Sequence, residues 1–319
     1  MTASSEVSIT KRELPRLVRL FRFQSIASLR QAGWGVLFAT PWLLGLIIFV
    51  LGPIMASFYF SLTRYDIVST PQFLGIDNYQ RAFFRDELMW PSLGRTLRFA
   101  ITVVPISVTG SLALAMLLNQ GYRMTSVYRT LFFLPSLTPS VALAILWVWL
   151  FQPQLGPVNY ALRQLGITGP GWFSSPQWAL PSMVIISLWG SFGGTHMLIF
   201  LSGLQGVPQE LYDAADVDGA GRWRRFLNVT LPMISPALLF NLIMGVIGAM
   251  RVFTLAYVAT QGGPARATWF YALHLYTVTF QYFEMGYGAA LAWFFAFIVI
   301  VVTLIQFRMS RHWVFYAGE

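Results

Sequence analysis

Six apolar stretches constrain this chain more than any other feature, because each is close to the length a helix needs to cross the hydrocarbon core of a bilayer. They fall at roughly 35–61, 98–119, 131–151, 179–204, 233–259 and 286–308. Backbone N–H and C=O groups find no water in that core, so an apolar run of this length must satisfy them within a helix. The expected fold is an all-α polytopic membrane protein with six transmembrane helices. Composition agrees: 56% of the 319 residues are hydrophobic and 10% are charged, against about 25% charged in soluble domains. The expected organisation is a basic tail over 1–33, a membrane domain over 34–310 and a short tail over 311–319. No short apolar core with a small-residue cleavage site opens the chain, so a cleaved signal peptide is not expected.

The charges that remain are placed, not scattered. A net charge of +9 could suggest nucleic acid, but the basic residues sit at span ends and in the N-terminal tail, where anionic membrane lipid is the simpler partner. Leu14, Leu17, Val18, Leu20 and Phe21 with interleaved arginines suggest an amphipathic surface helix there. With the N-terminus inside, thirteen Lys and Arg fall on its side of the membrane and six on the other, Arg98 and Arg251 lying within spans. That bias places both termini in the cytoplasm. There is no cysteine, which excludes disulfides and cysteine-based metal or redox chemistry. The single lysine, Lys11, lies between Thr10 and Arg12, so the Gly-Lys pair of a nucleotide-binding P-loop is absent. The histidines 196, 274 and 312 are far apart, acids are almost absent from the spans, and nothing resembles a catalytic or metal-binding constellation.

One polar loop breaks the apolar pattern. Pro208 to Pro236 holds four of the twelve acids, Glu210, Asp213, Asp216 and Asp218, followed by Arg222, Arg224 and Arg225. Pro208 suits a helix start, where a missing N–H is no loss. Leu211, Ala214, Ala215 and Val217 recur at helical spacing between the acids, and acids suit the first turns of a helix. Asp218-Gly219 then marks a stop. The expectation is a short helix, a bend and a second short helix on the cytoplasmic surface, shaped for a groove on a partner protein.

This stretch resembles the EAA loop of ABC-importer permeases. Asp213-Ala214-Ala215, Gly219 and Val229-Thr230-Leu231-Pro232 follow the family spacing, with Asp213 standing for Glu and Val229 for Ile. The fuller form known from sugar and glycerol-phosphate permeases, P-x-E-L-Y-x-A-A-x-x-D-G-A-x-x-W-x-x-F-x-x-x-T-L-P, is matched at every fixed position from Pro208 to Pro232. FLGIDNY, YRTLFFLPSLTPSVALAILWVWLF, TQGGP and MGYGAALAWFFAFIVIVVTLIQFR extend the similarity from the first span to Arg308. Thr254 departs from it, where many relatives have Asp.

The resemblance implies the transmembrane domain of a type I ABC importer of the carbohydrate, maltose-type class. It implies four kinds of partner: a second related permease, two P-loop ATPase subunits that bind ATP and Mg, an extracytoplasmic solute-binding protein, and lipid of a prokaryotic cytoplasmic membrane. Glu210, Asp213, Ala214, Ala215, Asp218 and Gly219 would form the element that docks on an ATPase. Gly245, Gly248, Ala249, Arg251 and Val252 on the fifth span match the part that lines the solute path in maltose-type relatives, and Trp189 and His196 on the fourth are further candidates. Each has a simpler reading. Small residues at 245 and 248, with Asn241 and Val252 on the same face, permit close helix packing. Arg251 could snorkel or hold loop carbonyls, and His196 could be a hydrogen-bonded packing residue. Gly262-Gly263-Pro264 is either a tight turn or a contact for the binding protein.

The leading expectation is thus a permease subunit, itself no enzyme, of an importer for a sugar or oligosaccharide. The same machinery importing glycerol phosphate or another polyol derivative is one alternative. A self-sufficient secondary transporter is another.

Overall fold

The computed structural model describes residues 26–121 and 123–315. The amphipathic stretch expected over residues 14–21 lies outside them. The chain divides into two compact units, Met1–Tyr59 and Phe60–Glu319.

The described part of the chain opens with α1 (Ile26–Gly45), which continues through a π-helical stretch, Leu46–Leu51, into Gly52–Ser61. The wide winding directly precedes Pro53, which has no N–H to give a regular helix.

The second unit opens with a short antiparallel pair, β1 (Thr63–Arg64) and β2 (Gln72–Phe73). It continues with α2 (Asp77–Phe84), α3 (Met89–Leu118), α4 (Thr125–Phe133), α5 (Ser140–Leu150), α6 (Pro157–Gln164), α7 (Pro176–Phe192) and α8 (Thr195–Gln205). After these come α9 (Gln209–Val217), α10 (Arg222–Arg225), α11 (Ser235–Met250), α12 (Thr254–Ala259), α13 (Tyr271–Tyr276) and α14 (Met285–Ser310). Five helical segments are long and apolar enough to cross a membrane: 33–61, 89–118, 176–205, 235–259 and 285–310. The third apolar run supplies a sixth only as a bent pair, α4 and α5 meeting at 93°. Pro135 and Pro139 explain the bend, since each removes a helical N–H and restricts the residue before it.

The 30-residue α3 is about 45 Å long and forms the axis of this unit. It packs against α7, α8 and α11. Its buried face runs Thr96, Phe99, Ala100, Val103, Val104, Ser107, Val108, Ser111 and Ala115, the spacing of a helix covered along one side. Lipid tails are as apolar as the side chains, so close approach of small residues must hold such helices together. Gly110 sits where any Cβ would collide with the Phe192 ring, and Gly193 where one would collide with the Phe132 carbonyl. Gly203 lies against Ala237, a Cβ there standing 3.3 Å from that methyl. Buried hydroxyls are satisfied within or across helices: Thr96 Oγ1 donates to the Ser92 carbonyl at 2.9 Å and Ser111 Oγ to the Ser191 carbonyl at 3.1 Å.

The Met89 end of α3 is fastened by Asp86. One carboxylate oxygen accepts the N–H of Leu88 (2.8 Å) and Met89 (3.2 Å). The other accepts from the Tyr287 hydroxyl (2.5 Å) and pairs with His274 Nε2 (2.8 Å). Burial opposes ionisation of this carboxyl, but the bonds from His274, Tyr287 and the Leu88 N–H outweigh it and hold it well below the usual carboxylate range. Arg81 lies over the Tyr287 ring at 4.1 Å and pairs with Glu284 at 2.8 Å. The aromatic segment 268–283 packs inward over its first part, where Phe270, Tyr271, Leu273 and His274 are buried and the Tyr271 hydroxyl donates to the Leu291 carbonyl, while Phe280, Tyr282 and Phe283 are exposed. Aromatic composition suits an interface and a core equally, and only the long-range partners distinguish them.

Candidate functional site

Two features of the second unit stand apart from packing: an exposed acidic helix at the Leu118 end of α3, and a cavity beside the middle of α3.

The acidic helix is α9. Pro208 caps it from outside with extended backbone, and Gly219 closes the bend after it at φ +69°, a conformation that favours glycine. The expected helix, bend and second helix are present as α9, the Asp218-Gly219 turn and α10, which runs on through a π-helical stretch, Phe226–Thr230. Two contacts tie α9 down. The Tyr212 and Thr230 hydroxyls lie 3.0 Å apart, and Asp216 pairs with Arg225 at 2.6 Å. The remaining surface is free to meet another body: Glu210, Asp213, Ala214, Asp218 and Gly219 are exposed, as is Val217, while Ala215 is half-buried on the inner side. A polar cleft of about 450 Å³ separates α9 and α10 from the Leu118 end of α3, lined by Asn119, Gln120, Tyr212, Arg222, Arg225 and Thr230 among others.

The cavity encloses about 380 Å³, within the usual range of about 300–1,000 Å³ for small-molecule sites. Its walls come from α3 (Phe99, Val103, Val104, Ser107), the bend between α4 and α5 (Pro135, Ser136, Thr138, Ser140), α7 (Ile186, Ser187, Gly190, Ser191), His196 of α8, and α11 (Met244, Gly245, Gly248, Ala249). Leu143 of α5, with Val252 and Leu255 beyond the end of α11, completes it. No Asp, Glu, Lys or Arg lines it; hydroxyls, one imidazole and apolar surface make up the wall. The bend at the two prolines is what brings Ser136 and Thr138 to the cavity.

Five of the seven path candidates therefore line one cavity: His196, Gly245, Gly248, Ala249 and Val252. Gly248 has nothing within 4 Å of where a Cβ would stand, so its missing side chain leaves open space; at Gly245 a Cβ would come within 3.3 Å of Val104. Trp189 does not join them. It is exposed on α7 and meets Trp147 edge-on at 6.0 Å. Arg251 does not line the cavity either. The fifth run is not one regular helix: α11 ends at Met250, and Arg251 is its exposed C-cap before the chain restarts as α12. A cation there complements the helix dipole, so the position is a helix end instead of a charge buried in mid-helix.

Gly262 is buried with φ +87°, and a Cβ there would collide with Trp269. Thr268 Oγ1 bonds the Gly263 carbonyl at 2.8 Å and lies 2.6 Å from Thr260 Oγ1, closing the 260–268 loop tightly. Pro264 is half-buried beside it. The tight-turn reading accounts for these contacts. The cavity hydroxyls are what sequence reasoning missed; Ser and Thr recurring inside apolar runs were the available signal. Among the described residues no group of His, Asp and Glu is placed to hold a metal ion.

Comparisons with known proteins identify the family and the fold. Residues 93–314 match the family described as binding-protein-dependent transport system inner membrane component. The chain is similar to the probable ABC transporter permease protein YesP of Bacillus subtilis, 40% identical over 89% of this chain and 93% of that one. It is also similar to the lactose transport system permease protein LacF of Rhizobium radiobacter, 34% identical over 88% and 94%. Its fold matches a chain in the crystal structure of a bacterial alginate ABC transporter in complex with an alginate pentasaccharide-bound periplasmic protein, at a TM-score of 0.80 and 22% identity over 90% and 96% of the two chains. The chain belongs to the binding-protein-dependent transport system inner membrane components, the permease subunits of ABC importers.

Proposed function

We propose that this permease forms half of the translocation path for a sugar or oligosaccharide in the cytoplasmic membrane of a prokaryote. A second, related permease supplies the other half. Two P-loop ATPase subunits bind ATP and Mg and dock on α9 through Glu210, Asp213, Ala214, Ala215, Asp218 and Gly219. An extracytoplasmic binding protein delivers the solute to the opposite face.

One observation carries the reading. The two helices that enter and leave the exposed loop, α8 and α11, are the same two that bring His196 and Gly245, Gly248 and Ala249 to the cavity. A partner that pulls on α9 therefore pulls, through short connections, on two cavity walls. Coupling needs only that ATP binding favour one arrangement of those walls over the other. Sugar is the favoured cargo because LacF, a relative at 34% identity, carries lactose in its name, and because hydroxyl-rich, uncharged walls suit it. An anionic cargo such as glycerol phosphate would want cationic groups or helix N-termini in the path, and the lining has no Lys or Arg. Membership of this family leaves the secondary-transporter alternative without support.

The test is a mild-detergent pull-down of the tagged chain from its own host, with co-purifying chains identified by mass spectrometry. A second permease, a P-loop ATPase and a solute-binding protein are expected. A chain that comes out alone and still transports after reconstitution would contradict the proposal.

A further inference from the structure

Within the cavity one side chain is held in a defined hydrogen-bonding state. His196 Nδ1 lies 2.7 Å from Asn241 Oδ1, and Asn241 Nδ2 donates to the His196 backbone carbonyl at 3.3 Å. Asn241 is fully buried. The second bond fixes the first. A carbonyl oxygen only accepts, so the amide nitrogen must face it, and the amide oxygen must then face the ring. An amide oxygen also only accepts, so Nδ1 must carry the proton. In the neutral imidazole this leaves Nε2 with a bare lone pair. No described residue bonds Nε2, and His196 lines the cavity.

We propose that Asn241 is a positioning residue that sets the tautomer of His196, and that His196 Nε2 is the acceptor with which the cavity reads a hydroxyl of an uncharged sugar unit. This rests on the cavity being the solute path. A hydroxyl is both donor and acceptor, so Ser187 or Ser107 can satisfy either side of a sugar O–H and select nothing. A bare imidazole nitrogen in an otherwise chargeless wall accepts only, and it rewards a solute that presents a donor there. Against the neutral ring, an ionised phosphate or carboxylate oxygen has no proton to give and meets a lone pair.

The chain has no cysteine, so a Ser187→Cys variant places this chain's one thiol on the cavity wall. The intact importer, isolated through a tag on this chain and reconstituted in nanodiscs, is labelled with a small maleimide. Labelling is repeated with saturating glucose, galactose, lactose, maltose or glycerol 3-phosphate. At least one neutral sugar is expected to slow labelling, and glycerol 3-phosphate is not. Adding His196→Ala is expected to raise the half-protecting concentration about three- to tenfold, the worth of one hydrogen bond, and His196→Gln, which can offer an amide oxygen, to restore part of it.

Asn241 is read separately, by 15N NMR of histidine-labelled importer. The His196 signal is expected to show protonated Nδ1 and bare Nε2, and Asn241→Leu to remove that preference. Sugar protection unchanged by His196→Ala, protection by glycerol 3-phosphate alone, or a His196 signal with protonated Nε2 would each overturn the inference while leaving the cavity as the path. Absence of protection by every compound would overturn the cavity as the path, and this inference with it.

Discussion

Asp86 shows how much one side chain can hold in a membrane protein. Its carboxylate joins the start of α3 to His274 and Tyr287, residues 188 and 201 positions away. A carboxyl whose pKa is depressed on folding contributes stability that is fully present above its unfolded value, about 4, and lost as pH falls toward the folded value. Asp86→Asn keeps the shape and removes the charge. It is expected to cost about 2 kcal/mol or more and to flatten the fall in stability below about pH 4, both checked by thermal unfolding in detergent across pH. Arg251 is the opposite case. It is exposed at a helix end and outside the cavity wall, so Arg251→Ala is expected to change uptake less than twofold, roughly a helix-end charge's worth; complete loss of uptake in an assembled complex would place the guanidinium in the path. None of this geometry was legible in the chain. The spacing of Asp86, His274 and Tyr287 carries no period, and the position of Arg251 depended on where α11 stopped.

At the scale of elements, local chemistry was legible and mutual placement was not. The α9–turn–α10 unit could be read residue by residue, because caps, acids and Gly219 act within a few positions of one another. The proline pair at 135 and 139 announces a break, yet the 93° turn and the cavity it walls follow only from packing. Small residues marked the helix contacts without saying which helix they faced. Gly110 faces Phe192, with no room for a side chain. Gly110→Leu is therefore expected to destabilise the α3–α7 contact by about 1–3 kcal/mol, as overpacking does, and to lower the yield of folded protein on size-exclusion chromatography. Gly190→Ala, where a Cβ meets nothing within 4 Å, is expected to leave that yield unchanged.

For the whole molecule, the proposed function depends on transmitting a movement from one surface to an interior. The exposed face of α9 is acidic, the cavity wall has no Asp, Glu, Lys or Arg, and α8 and α11 run from one to the other. The most direct test measures ATP hydrolysis and solute uptake side by side in proteoliposomes of the intact importer, with Glu210 and Asp213 both changed to Lys. Opposed charge at a docking surface costs several kcal/mol. Uptake is therefore expected to fall by about tenfold or more, with the permease still folded in the membrane and its hydrolysis no longer tied to solute. Uptake and hydrolysis both at wild-type rates would show that α9 does not carry the coupling.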